Sequence, residues 1–264
     1  NIEWTKLLGS SSADSSYGIT TGNDGSIYIT GETSGDLDGQ TNKGEFEPFI
    51  SKFDSDGNKE WTKLFGSSSE VFSSAIATCV TGSIYITGYT KGDLDEQINS
   101  GGFDVFISKF DSEGNNEWTR LLGSSDDDYA YGITTGNNGS IYITGDTSGD
   151  FDDQMNGGDY DVFISKFDSS GNKKWTRFLG NSDDEKSKSF GAITIGDAES
   201  IYISGETNGD LEGQINNGQF DAFISKFDSD GNKEWTRLLG SSNDDYAYGI
   251  TTGNDGSIYI TGDT

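Results

Sequence analysis

The 264-residue chain carries 17 basic against 45 acidic side chains and no histidine, a formal net charge of −28. A surface so acidic repels phosphate backbones and anionic lipid headgroups, which argues against nucleic acid as a partner, and no apolar run approaches the roughly 18 residues that a membrane-spanning helix needs. The 38 glycines, 12 tyrosines and 16 phenylalanines beside a single proline suit short two-sided strands joined by tight turns, and such aromatic content argues against disorder.

The chain opens on Asn1-Ile2-Glu3-Trp4, with neither a basic region nor an apolar signal segment, as expected of a mature piece or a fragment. Trp4 is also the first mark of a repeat. Trp4, Trp61, Trp118, Trp175 and Trp235 follow one another at 57, 57, 57 and 60 residues, and Tyr28, Tyr85, Tyr142, Tyr202 and Tyr259 at 57, 57, 60 and 57. The one three-residue insertion therefore lies between Trp175 and Tyr202, and is expected in the loop from Asp183 to Lys188.

Each period holds four strand-like runs. In the third copy they are Tyr131 to Thr135, Ser140 to Thr144, Val162 to Phe167 and Lys174 to Leu179. Ile141 and Ile143 alternate with Tyr142 and Thr144, the period-two signature of a strand. Both faces are bulky, so each sheet needs cover on both sides, which four-stranded sheets packed face to face around an axis provide. Gly22-Asn23-Asp24-Gly25 and Ser55-Asp56-Gly57-Asn58 read as hairpin turns. The expected fold is all-β, a β-propeller of four-stranded antiparallel blades forming a single domain over residues 1–264; its competitor is a parallel β-solenoid, whose coils are usually shorter. About five blades are expected: four complete, and a closing blade combining Asn1 to Gly9 with Tyr248 to Thr264. That blade has no Phe-Ile-Ser-Lys-Phe run, so either more chain follows or the ring is an open fragment.

The succession from Asp127 to Thr147, then Gly157 to Asn172 and the run from Trp175, resembles the bacterial β-propeller repeat called SBBP over the whole chain. Departures are Pro48 where other copies have Val or Ala, Glu47 in place of Asp104, Asp161 and Asp221, and the insertion in the fourth copy. The resemblance implies a propeller of large extracellular or surface-exposed bacterial proteins and no settled activity.

Clustered oxygens at alternate positions are what calcium requires. The acidic loops place them at Asp36 and Asp38, Asp93 and Asp95, Asp150 and Asp152, Asp210 and Glu212, and solvated charge explains them without an ion. Asp54, Asp56 and Asn58 form a second such pattern, repeated at Asp228, Asp230 and Asn232, which also reads as an ordinary turn. No cofactor is required; calcium is the one ion these loops would suit. Lys52, Lys109, Lys166 and Lys226 fall mid-strand, where a buried charge needs a partner, and an aspartate such as Asp104 or Asp161 is expected. The tryptophans are expected to pack rather than to stack on sugars, and lone Cys79 to fill a semi-buried slot.

Catalysis is not expected: there is no histidine base, no phosphate loop and no Gly-x-Ser-x-Gly elbow. A carboxylate glycoside hydrolase is a remote alternative, opposed by the repetition of every conspicuous acid. Two non-enzymatic readings stand: a rigid scaffold, adhesion or interaction module, and a multivalent lectin-like propeller with one weak site per blade. Loop aromatics such as Tyr129 and Tyr246 are the ligand-binding candidates, and the partner is an unidentified protein or glycan.

Overall fold

The computed structural model describes residues 3–180 and 193–264, with the backbone of a short strand at Glu185–Lys186. Apart from that strand, the expected insertion loop at Asp183 to Lys188 lies outside the described residues.

Four-stranded antiparallel sheets follow one another along the chain. The first holds β1 (Asp14–Thr21), β2 (Ile27–Thr33), β3 (Glu47–Phe53) and β4 (Lys59–Leu64); the second β5 (Val71–Thr78), β6 (Ile84–Thr90), β7 (Asp104–Phe110) and β8 (Asn116–Leu122). The third holds β9 (Asp128–Thr135), β10 (Ile141–Thr147), β11 (Asp161–Phe167) and β12 (Lys173–Leu179). In the fourth, β13 (Glu185–Lys186) and β14 (Ile193–Ile195) both pair with β15 (Ile201–Thr207), followed by β16 (Asp221–Phe227) and β17 (Lys233–Leu239). A two-stranded sheet of β18 (Tyr246–Thr252) and β19 (Ile258–Asp263) ends the succession. No helix among the described residues is long and apolar enough to cross a membrane.

The sheets are blades packed face to face. Phe106 and Ile86 of the second blade join Ile50 and Tyr28 of the first in one buried cluster. Ile141 and Phe163 of the third meet Val105 and Tyr85 of the second, and Ile201 and Phe223 of the fourth meet Tyr142 and Val162 of the third. Each interface buries isoleucines and aromatics, the groups whose removal from water drives association most strongly. The first strands β1, β5, β9, β14 and β18 contact one another in succession, so they form the inner edge.

Both ends of the array present uncovered faces. Ile19 is 71% exposed while its counterparts Ile76, Ile133 and Ile193 are 8%, 7% and 5% exposed. Tyr259 is likewise open where Tyr28, Tyr85 and Tyr142 are buried. The expected closing sheet is not formed by hydrogen bonds: β18 and β19 pair only with each other, and residues 3–9 form no strand. Trp4 nevertheless packs against Gly57 as Trp61 packs against Gly114, so the opening segment occupies the place of an outer strand.

Candidate functional site

A recurrent bulge builds a tyrosine rim on the inner strands. In β9 the pairing with β10 jumps from Gly132↔Thr144 to Ala130↔Gly145, leaving Tyr131 as the extra residue. The same jump leaves Tyr17 extra in β1, Ser74 in β5 and Tyr248 in β18. A bulge bends its strand and re-aims a side chain. It also requires glycine opposite: a Cβ on Gly145 would lie 1.8 Å from the Tyr129 carbonyl oxygen.

Each re-aimed tyrosine meets a carboxylate from the sixth position of the next strand. The Tyr17 hydroxyl donates to Glu32 Oε1 at 2.7 Å, the Asp146 charge acts on Tyr131, and Asp263 acts on Tyr248 through charge and a side-chain hydrogen bond. The second blade has Tyr89 at the carboxylate's position. Aromatics from the neighbouring blade join them. Tyr129 is 4.9 Å from Tyr89 and 5.5 Å from Phe103, and stacks on Tyr131 with rings 14° apart. Tyr246 stacks on Tyr248 at 9° and on Phe220 at 30°. The two ligand-binding candidates of the sequence, Tyr129 and Tyr246, expected in loops, lie instead in strands β9 and β18, at equivalent places in this rim.

Burial sets the electrostatics. It pushes the Tyr131 hydroxyl well above the ordinary tyrosine range, with the Asp146 charge adding to it, and raises Tyr89 with help from Glu32. It also raises the Glu32 carboxyl, against the opposing hydrogen bond from Tyr17.

The acidic loops are tied into their own blades. Asp36, Asp93, Asp150 and Asp210 accept the backbone N–H of Asn42, Asn99, Asn156 and Asn216 at 3.0, 2.9, 2.7 and 2.9 Å. The second acid reaches the outer strand. Asp38, Asp152 and Glu212 pair with Lys59, Lys173 and Lys233, and Asp95 accepts Asn116 at 2.7 Å and Thr119 at 2.5 Å. Among the described residues no three acidic or cysteine side chains are grouped to hold a metal. The Asp54 carboxylate spans its turn, accepting from the Asp56 and Asn58 backbones and the Asn58 side chain; Asp228 repeats this.

The mid-strand lysines take a partner other than the one expected. Lys52, Lys109 and Lys226 pair with Glu60, Glu117 and Glu234 at 2.8, 2.7 and 2.8 Å, because the outer strand brings that glutamate beside them. The third blade has Lys174 there, so Lys166 donates to the Ser229 carbonyl instead. Asp104 is buried with a different neighbour. A Cβ on Gly123 would lie 2.5 Å from Asp104 Oδ1 and 3.0 Å from Asp128 Oδ2, so the two carboxylates converge there. Trp61, Trp118 and Trp175 pack on the next blade's hairpin, and Arg120, Arg177 and Arg237 lie over Trp118, Trp175 and Trp235. Cys79 is buried, its sulfur 2.9 Å from the Thr81 hydroxyl.

Bulged inner strands and stacked blades define a β-propeller repeat protein. Residues 3–38, 117–152 and 234–264 match the SBBP family, a beta-propeller repeat, so these three stretches carry that repeat. It is 26% identical over 270 residues to the regulatory protein FlaEY of Caulobacter vibrioides, a match covering 89% of this chain. The chain spans 28% of the length of FlaEY. Among solved structures it resembles a protein of unknown function from Bacteroides caccae, with TM-score 0.52 and 9% identity over 94% of this chain and 70% of that one. It also resembles puromycin hydrolase, with TM-score 0.56 and 11% identity over 98% of this chain and 38% of that one. Likeness at such identities concerns the fold alone.

Proposed function

We propose that this chain is a non-enzymatic propeller scaffold whose tyrosine and carboxylate rim is an interaction surface. The observation that carries the reading is the recurrence of the bulged tyrosine against a carboxylate in three blades, Tyr17 with Glu32, Tyr131 with Asp146 and Tyr248 with Asp263. A catalytic centre is normally unique, whereas this arrangement is repeated as a binding motif is. The name of FlaEY, a regulatory protein, is in keeping with a module that binds rather than reacts. A place at the cell surface or outside the cell belongs to the same proposal and rests on the SBBP resemblance.

The lectin-like reading is supported by the near-parallel ring pairs Tyr129 with Tyr131 and Tyr246 with Tyr248, since flat aromatic faces stack on sugar rings. The experiment is a screen of glycan and peptide arrays with the wild-type chain and with Tyr129→Ala and Tyr246→Ala. Ligands lost by folded variants support the rim; ligands retained by both variants reject it.

A further inference from the structure

Apart from the rim, we infer that the two ends of the blade array dock on each other between copies of this chain, head to tail. The face left open on the first blade is the one that the second blade buries. Ile19, Ile27, Ile29, Phe49 and Phe53 line, with Trp4, a cavity of about 330 Å³. The residues 57 positions further on, Ile76, Ile84, Ile86, Phe106 and Phe110, all lie in the buried cluster that the second blade forms with Tyr28 and Ile50 of the first. The face left open at the other end is the one that does the covering. Tyr28, Tyr85 and Tyr142 each lie in the cluster shared with the following blade, whereas their counterpart Tyr259 is 58% exposed on β19. One interface, formed repeatedly inside the chain, is thus present at its ends as two unjoined halves.

Hydrogen bonds and ring pairs define what the junction completes. Thr78 donates to the Thr21 carbonyl at 2.8 Å, Thr135 to the Thr78 carbonyl at 2.8 Å and Thr252 to the Ile195 carbonyl at 2.9 Å, so inner strands are pinned to the ones before them. Thr21 holds that position in the first blade, and the Thr252 carbonyl of a second copy is the equivalent acceptor. Within the blades the repeat tyrosine meets the repeat tryptophan: Tyr28 with Trp61, Tyr85 with Trp118, Tyr142 with Trp175 and Tyr202 with Trp235, at 6.2, 6.1, 6.1 and 6.2 Å. That leaves Tyr259 and the 40% exposed Trp4. Trp4 stands on Gly57 in the place of an outer strand, so β18 and β19 of a second copy, laid on the first blade, bring Tyr259 beside it as a fifth pair. Within one chain β18 and β19 pair only with each other, and β18 does not pack along β1 as the other inner strands pack along their neighbours. Apolar contact drives the association against the repulsion of two net charges of −28, which salt screens.

The test is sedimentation velocity of the 264-residue chain over a concentration series at low and high sodium chloride, with the variants Ile19→Asn, Tyr259→Asn and Ile98→Asn. Ile19 and Tyr259 are exposed on the two end faces, and Ile98 is exposed in a loop of the second blade, away from both. The wild-type chain is expected to associate as concentration rises, more tightly at high salt, with affinity falling about tenfold or more in Ile19→Asn and in Tyr259→Asn and less than about twofold in Ile98→Asn. Because the two faces differ, an equimolar mixture of Ile19→Asn and Tyr259→Asn retains one sound junction, and is expected to form a one-to-one dimer of wild-type affinity that grows no further. Should Ile19→Asn fail to fold, Thr21→Val, which removes the hydroxyl of the same junction, takes its place. A wild-type chain that stays monomeric at every concentration, equal losses in all three variants, a loss confined to one end face, or a mixture that remains monomeric would each overturn the inference, whatever ligands the rim takes.

Discussion

Trp61 stands on Gly114, the hairpin glycine of the following blade, where a Cβ would lie 2.8 Å from the indole ring. The relationship repeats with Trp118 over Gly171 and Trp175 over Gly231, so the outer strands of the first three blades are capped onto the blades that follow. Gly114 also has φ +77°, a conformation that costs an L side chain roughly 1–2 kcal/mol. Gly82 has φ +86° with nothing within 4 Å of a built Cβ, and supplies the control. Gly114→Ala is expected to lower stability by about 2 kcal/mol or more, and Gly82→Ala by the backbone strain alone, about 1 kcal/mol. Urea unfolding of both variants measures the difference, and equal losses would mean that the tryptophan contact adds nothing.

Asp104 and Asp128 are both fully buried, each with one oxygen lacking a hydrogen-bond partner. Burial pushes the Asp128 carboxyl up to about 6, and the Asp104 charge adds to it; burial raises Asp104 as well. A carboxyl raised in the fold holds its proton where the unfolded chain has lost it. The native state therefore binds more protons between the ordinary range near pH 4 and about pH 6, and stability falls as pH rises through that window. Asp128→Asn keeps an acceptor for the Ser124 N–H and removes the charge that Asp104 faces. It is expected to raise stability by about 1–3 kcal/mol at pH 8 and by little near pH 4. Chemical denaturation at the two pH values tests this, and an equal destabilisation at both would rule the account out.

The blades were legible because a 57-residue period and strict alternation survive in single residues, as in Ile141 to Thr144 against Phe167 to Ile164. The rim was legible only in part. Tyr129 and Tyr246 stood out as loop aromatics, but the bulge that re-aims Tyr131 is a property of two paired strands. Its signal in the chain is a tyrosine followed by glycine, opposite a second glycine in the partner strand: Tyr131-Gly132 with Gly145. The lysine partners were misread for a related reason. Lys109 stands opposite Trp118, and the cross-strand neighbour Glu117 depends on the register of β7 with β8, which alternation alone leaves open. Asp104 looked like a counter-ion because nothing in its own segment shows that Asp128 shares its pocket.

The acidic loops lead to a prediction about metal. Asp95 is committed to Asn116 and Thr119, and Asp93 to the Asn99 backbone, so their oxygens act as internal acceptors. Calcium addition or chelation is expected to leave the melting temperature unchanged, whereas Asp95→Ala costs about 1 kcal/mol by taking the acceptor from the buried Thr119 hydroxyl, exposed Asn116 being open to water. Calorimetric scans with and without calcium check the first expectation; a clear upward shift with calcium would show that an ion displaces these donors.

The same loop reaches the blade interior through one hydroxyl chain. Thr119 donates to Asp95, and a hydroxyl has one proton, so in the 2.8 Å contact between Ser108 and Thr119 the donor is Ser108. Both residues are buried. Removing Ser108 leaves Thr119 with its bond to Asp95 and with Asn116 as a donor at 3.1 Å, so Ser108→Ala is expected to cost about 1 kcal/mol. Thr119→Val leaves the Ser108 proton without its acceptor and takes a donor from Asp95, at about 2–3 kcal/mol. Since the two losses share a bond, the double variant is expected to cost less than their sum by about 0.5–1 kcal/mol. A double-mutant cycle by urea denaturation measures this coupling, and strict additivity would mean that the hydroxyl chain does not act as one unit.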